Sequence, residues 1–130
     1  RMARVAAAIA ADGVLREVHL EEASARPADP DPFLDRTSAR MIASYMRDAV
    51  LTGTGRVLKS HPWRIAGKTG TAELTGHASH AWFVGFAPYG AATRRIAFAV
   101  IIENAGYGGA SAAPVAGEIV TAAAQSGLVQ

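Results

Sequence analysis

Apolar residues along this 130-residue chain change their spacing once, near its middle. Before that point they recur at helical intervals. Met2, Val5, Ala6 and Ile9 stand at i, i+3, i+4 and i+7, one face of a helix. Asp12-Gly13 ends it, because glycine takes the left-handed cap conformation without steric cost. Val14 to Leu20 reads as a short strand whose apolar face Arg16 interrupts. Glu21 to Asp35, with Arg26-Pro-Ala-Asp-Pro-Asp-Pro32, has the proline-rich, acidic composition of a surface loop. Thr37 or Ser38 can cap a second helix, on which Met41, Ile42, Tyr45, Met46, Ala49 and Val50 form a packing stripe. That run closes in Leu51-Thr-Gly-Thr-Gly55.

From Arg64 onward the pattern is that of strands. Arg64 to Thr71 predicts one strand, followed by a polar turn from Glu73 to Ser79. Ala81 to Ala87 predicts the next, with Trp82, Val84 and Phe86 on one face and Phe83 on the other, all read as core. Tyr89 to Arg94 is short enough to link a hairpin partner, Ile96 to Ile102. There Phe98, Val100 and Ile102 face one way and the small Ala97 and Ala99 the other, where a helix can approach closely. Glu103 to Gly109 is a loop, with Glu103-Asn104 read as its anchor. A last helix from about Ser111 to Gln125 has Ser111 as its cap, Pro114 in its first turn, and a stripe of Val115, Ile119 and Ala122 or Ala123. The whole predicts an α+β fold, an antiparallel sheet packed with helices.

Composition narrows the function. Half the residues are hydrophobic, but 29 are Ala, which leaves enough larger apolar residues for one modest core and no more. The net charge of +2 is too small to argue for nucleic acid, which calls for a concentrated basic face. The absence of cysteine removes disulfides, zinc–thiolate sites and thiol nucleophiles. No segment approaches the roughly 20 apolar residues that span a bilayer. Arg1 to Ala11 lacks the pattern of a signal peptide, and an Arg ahead of Met2 suggests a piece of a longer chain.

Only two of the 13 basic residues are Lys, and one of them stands in Ile65-Ala-Gly-Lys-Thr-Gly-Thr-Ala-Glu73, where it is the one charge between Ile65 and Ala72. Thr69 and Thr71, two residues apart, share a face of that strand. Gly67 and Gly70 suit places where another group must approach the backbone. A cation, two hydroxyls and backbone N–H groups on one edge are the parts needed to hold a carboxylate and stabilise an oxyanion. Elsewhere, Glu73, His77 and His80 could line up as metal ligands only on a helix, which the preceding strand and Gly76 argue against. Ser79 and His80, adjacent on a strand, point to opposite faces and make no nucleophile pair.

The chain resembles the penicillin-binding transpeptidase family, whose third signature is Lys-Thr-Gly on a strand at the active-site edge. Ala39 to Val50 with Gly53-Thr-Gly55, Ala66-Gly-Lys-Thr-Gly-Thr-Ala-Glu73, His80-Ala-Trp-Phe-Val-Gly-Phe-Ala-Pro88, and Ile101-Ile-Glu-Asn104 with Gly108-Gly109 are similar, in order, to family segments. The resemblance implies that Lys68 lends positive charge beside the nucleophile and helps position proton transfer. It implies that Thr69 and Thr71 bind the carboxylate of a peptide stem or a penicillin. It further implies that the Thr71 N–H forms half of an oxyanion hole and that Gly70 keeps the strand edge open to the acyl group. The reaction implied is cross-linking of peptidoglycan by acyl transfer from a D-Ala-D-Ala stem through a serine ester, without metal or organic cofactor. It is expected on the outer side of the bacterial cytoplasmic membrane, in a protein anchored by an N-terminal helix.

The family's Ser-x-x-Lys does not occur. Ser24, Ser38, Ser44, Ser60, Ser79, Ser111 and Ser126 are followed at the third position by Pro, Met, Arg, Trp, Trp, Pro and Val. Ser-x-Asn and Tyr-x-Asn are also missing. The chain therefore reads as the C-terminal part of one transpeptidase domain, residues 1–130, with three strands of a five-stranded family sheet and no nucleophile. Alone it should not acylate. The edge at Ile96 to Ile102 is expected to bind the missing N-terminal part or a second copy of the chain. A serine β-lactamase and a non-catalytic penicillin-recognising sensor or binding module are the alternative functions.

Overall fold

The computed structural model describes residues 1–16 and 31–130. Helix α1 (Met2–Ala10) buries Ala6, Ala8 and Ile9. It stops where Asp12 (φ 56°) and Gly13 (φ 94°) turn left-handed. Gly13 is required there, since a Cβ would lie 2.1 Å from the Leu34 carbonyl oxygen. Strand β1 (Val14–Leu15) pairs antiparallel with β2 (Asp31–Pro32). The end of the anticipated loop is thus a short strand, while Val14 to Leu20 and Glu21 to Asp35 otherwise run into 17–30, outside the described residues.

Helix α2 (Arg36–Leu51) begins one step before the expected caps. Asp35, not Thr37 or Ser38, is the N-cap, and its Oδ1 accepts the Ser38 N–H at 2.9 Å. A carboxylate satisfies an orphan helix donor at least as well as a hydroxyl and also opposes the helix dipole. Asp12 joins the two helices by accepting Nε and a terminal nitrogen of Arg40 at 3.0 and 2.9 Å. The hydrogen bond to Arg40, with the charges of Arg40, Arg36 and Arg95, holds the Asp12 carboxyl below its ordinary 3.8. Its stabilisation is therefore present above that value and is lost as pH falls through the depressed one.

After a 3-10 turn (Arg56–Leu58) the chain forms β3 (Ala66–Leu74), β4 (His77–Ala87) and β5 (Ile96–Ile102), an antiparallel sheet in that order. Ala66 pairs with Phe86 and Thr71 with Ala81, while Ala81 pairs with Ile102 and Ala87 with Ile96. The expected polar turn is mostly strand. Pairing continues to Leu74 opposite His77, leaving Thr75-Gly76 as the turn, with Gly76 at φ 77°. Residues 71–78 are all exposed, so no apolar face marks this tip in the sequence.

Two cores sandwich the sheet. On one face Phe83, Phe98, Val100 and Ile65 pack with Leu58 and with helix α3 (Ala112–Gln125). On the other, Phe86 and Ala66 pack with Ile9 and Met46, and the small Ala97 lies against that cluster, as a close helix approach requires. Helix α3 corrects the expected stripe. It buries Ala112, Ala113, Ala116, Gly117, Val120 and Ala123, and leaves Val115 and Ile119 39% and 38% exposed. The sheet supplies the bulk here through Phe83 and Phe98, stacked with centroids 6.2 Å apart, so the helix must supply small residues. Ser111 stands at the N-cap position, but its hydroxyl donates to the Ala105 carbonyl at 2.8 Å instead of capping. No helix among the described residues is long and apolar enough to cross a membrane.

Candidate functional site

Strand β3 carries the candidate residues along an edge that no described strand covers. Side-chain alternation divides them. Lys68 and Gly70 turn toward the α1–α2 side, and Thr69 and Thr71 toward the side of the 3-10 turn and the β5–α3 loop. The Lys68 ammonium curls over the edge, where Nζ donates to the Thr69 carbonyl at 2.8 Å and reaches the Thr69 hydroxyl at 3.4 Å. The strand edge therefore gathers one cation, two hydroxyls and an accessible carbonyl within a few residues.

A cleft of about 630 Å³ opens on the threonine side, lined by Thr52, Thr54, Arg56, Thr69, Thr71 and the loop from Tyr107 to Ala110. Its two walls are held against β3 by close backbone contact. The Thr54 and Thr69 hydroxyls share a hydrogen bond of 2.5 Å. Gly108 lies so near the sheet that a Cβ there would meet the carbonyl oxygens of Trp82 at 2.3 Å and Gly70 at 2.5 Å. Gly109 is similarly seated on the Thr54 carbonyl, 2.5 Å from where its Cβ would stand. The 52–55 turn folds back on α2, with the Thr52 and Gly55 N–H groups donating to the Asp48 and Ala49 carbonyls at 2.8 and 2.9 Å.

Thr54 and Arg56 were not among the residues expected at the site. A threonine between two glycines was the available signal for Thr54: glycines permit the tight turn that brings its hydroxyl to Thr69. Gly67 has a different role from the expected one. Its missing side chain makes room for the Phe83 ring, which a Cβ there would meet at 2.4 Å, so the group approaching it belongs to the core. Gly70 has Trp82 beside it and Gly108 over its backbone.

On the lysine side a cleft of about 760 Å³ is walled by Met2, Val5, Ile42, Tyr45, Trp82 and Val84, with Lys68 at its rim. This corrects the reading of Met41, Tyr45 and Trp82 as buried packing. Met41 is 48% and Tyr45 62% exposed, and Trp82 is half-buried on the cleft wall, whereas Phe83 and Phe86 are core.

The remaining candidates serve the scaffold. Residues 73–80 form the hairpin tip, which places Glu73, His77 and His80 on strands and not on one helical face. His80 Nδ1 accepts the Asn104 N–H at 3.0 Å, which gives Asn104 its anchoring role. His61 is close to the Gly117 carbonyl and the Thr121 hydroxyl, each at 3.2 Å, and its Nδ1 accepts the Trp63 N–H.

A hydroxyl-lined edge strand with a lysine at its rim, on a sheet packed between helices, defines an α+β protein with an open, polar strand edge. The chain belongs to the penicillin binding protein transpeptidase domain family, whose model matches residues 1–121. It is 32% identical over 143 aligned residues to the peptidoglycan D,D-transpeptidase PbpA of Mycolicibacterium smegmatis, covering 96% of this chain and 29% of that protein. It is 40% identical over 82 residues to the peptidoglycan D,D-transpeptidase MrdA of Acinetobacter baumannii, covering 52% of this chain and 12% of that one. Penicillin-binding protein A of M. tuberculosis, solved as a ceftriaxone acyl-enzyme complex, superposes with a TM-score of 0.78 at 28% identity over 93% of this chain and 31% of its own. The D,D-transpeptidase domain of an Eggerthella lenta peptidoglycan glycosyltransferase gives 0.72 at 29% identity, over 97% and 32%. The chain spans less than a third of each of these proteins.

Proposed function

We propose that residues 1–130 are the substrate-binding wall, the C-terminal part of one domain, of a peptidoglycan D,D-transpeptidase that β-lactams acylate. The observation that carries this reading is the exposed edge of β3, where Lys68, Thr69 and Thr71 stand together in a chain of this family. The reaction is acyl transfer. A serine oxygen attacks the carbonyl of the penultimate D-Ala, the terminal D-Ala leaves with a proton on its amine, and an acceptor amine then displaces the serine from the ester. Thr69 and Thr71 hydroxyls bind the terminal carboxylate. Lys68 lends positive charge next to the serine. The Thr69 carbonyl is reached by Lys68 from the open edge, and backbone groups of an antiparallel strand repeat their direction every second residue. On that alternation the Thr71 N–H faces the same edge, where it serves as half of an oxyanion hole.

The serine is not in this chain, because none of its serines stands in Ser-x-x-Lys. The apolar cleft beside Lys68 is the surface on which the segment bearing it packs. By itself the chain does not acylate, since what survives the loss of nucleophile and base is binding and oxyanion stabilisation. The protein works on the outer side of the cytoplasmic membrane, where its substrate is assembled into wall, and needs no metal or organic cofactor. Mass spectrometry after exposure to benzylpenicillin tests the function. A form including any residues encoded in frame before Arg1 gains the mass of one antibiotic, and an unmodified protein overturns the proposal.

The β5 edge carries the corresponding prediction for assembly. No described strand pairs with Ile96–Ile102 beyond β4, and Ile101 is 47% exposed beside it. An apolar open edge recruits a further strand. Sedimentation of the 130-residue chain alone gives a dimer or a larger species, and with the rest of the protein added it gives a complex. A well-folded monomer contradicts this.

A further inference from the structure

The cleft on the threonine side has an imbalance of charge. Thr54, Thr69 and Thr71 turn hydroxyls into its lining, the Thr52 hydroxyl donating instead to the Asp48 carbonyl at 3.1 Å; among the described residues Arg56 is the one cation of the lining, and no acidic side chain is part of it. Arg56 is exposed, and among the described residues its guanidinium has neither an ion-pair partner nor a hydrogen-bond acceptor. Other arginines lie outside this lining and are engaged: Arg40 grips Asp12, Arg47 donates to the Ile65 carbonyl at 2.7 Å, and Arg95 donates to the Ala10 and Gly90 carbonyls. Lys68 is committed to the strand edge, where its ammonium donates to Thr69. It is also the group that the proposed reaction needs on the opposite side, beside the nucleophile.

Neutral hydroxyls alone are a weak trap for an anion, because a carboxylate leaving water loses hydration that two hydroxyl donors only partly replace. A cation held in a half-open cleft raises the local concentration of anions and strengthens the hydrogen bonds formed there. Arg56 suits this position. It begins the 3-10 turn directly after Gly53-Thr54-Gly55, so the turn that delivers the Thr54 hydroxyl to Thr69 also delivers the guanidinium to the same cleft.

We propose that Arg56 is the counter-charge of this cleft, drawing a ligand carboxylate onto Thr69 and Thr71 and favouring anionic over neutral ligand ends. The proposal rests on the reading of those threonines as the carboxylate site. Its test is equilibrium binding of benzylpenicilloate, which cannot acylate, followed by NMR on the same form of the protein used for penicillin adducts, at low and high salt. Arg56→Gln weakens binding about tenfold and removes most of its salt dependence, Arg56→Lys restores much of both, and Lys59→Gln, at an exposed lysine outside the lining, leaves both in place. Unchanged affinity and salt dependence in Arg56→Gln overturns the proposal, as does transfer of the whole effect to Lys59→Gln or the lack of any saturable binding. Penicillin adduct formation is scored separately. An adduct that forms equally well in Arg56→Gln, with unchanged penicilloate binding, removes Arg56 from the site and leaves the transpeptidase reading intact.

Discussion

In the form of the protein that acylates, Lys68→Ala lowers the rate of penicillin acylation about a hundred- to a thousandfold, with little change in thermal stability. The two halves of that expectation have separate origins. Lys68 is exposed and its hydrogen bonds go to its own neighbour Thr69, so its removal breaks no tie between elements. Its loss to the reaction is large because a preorganised charge acts where charge develops, at a site from which bulk water is partly excluded. Lys68→Arg restores only part of the rate, since a planar guanidinium cannot occupy the place of a compact ammonium. Time courses of adduct formation for the three proteins measure this, with thermal melts alongside. An Ala variant that acylates at the wild-type rate removes Lys68 from the mechanism.

The second large effect is on the fold beneath the site. Gly108→Ala costs about 1–3 kcal/mol, and at this length each kcal/mol lowers the melting midpoint by roughly 4 °C. Its Cβ would be forced onto the Trp82 and Gly70 carbonyls, which are backbone atoms of the central sheet and have little freedom to move. The loop must lift instead, and it takes the start of α3 with it, because the Gly108 carbonyl accepts the Ala112 and Ala113 N–H groups at 3.0 and 2.8 Å. Gly106→Ala is the comparison. Gly106 has a left-handed φ of 73° but, among the described residues, no atom within 4 Å of its would-be Cβ, so that variant carries backbone strain without the clash. Thermal melts should place Gly108→Ala well below Gly106→Ala, and its penicilloate binding should weaken because the cleft wall has moved. Equal midpoints for the two variants contradict the packing argument.

Much of this was legible in the sequence, for reasons that also explain the failures. Strand β5 is readable end to end because Phe98, Val100 and Ile102 share one face while the small Ala97 and Ala99 lie on the other. Lys68, Thr69, Gly70 and Thr71 stand out because a lysine and two threonines interrupt an apolar strand, and the family resemblance implies the roles proposed for them. Legibility ended where burial was decided by a partner surface. On α3 the larger Val115 and Ile119 point outward because the aromatic sheet beneath is met mainly by Ala and Gly, with Val120 the one larger residue that α3 buries there. Met41 and Tyr45 follow helical spacing, yet no described element covers them. The 73–79 tip has no apolar pattern because neither of its faces is buried, and Arg56 carries no signal in the sequence because an exposed arginine in a turn is ordinary until its neighbours are known.

The most direct measurement is the position of the penicillin carboxylate in a crystal structure of the acylated protein. The account predicts it within hydrogen-bond distance of the Thr69 and Thr71 hydroxyls, with the acyl oxygen on the Thr71 N–H. A carboxylate bound away from β3, with both threonine hydroxyls unengaged, would contradict the claim that this strand is the substrate-binding wall.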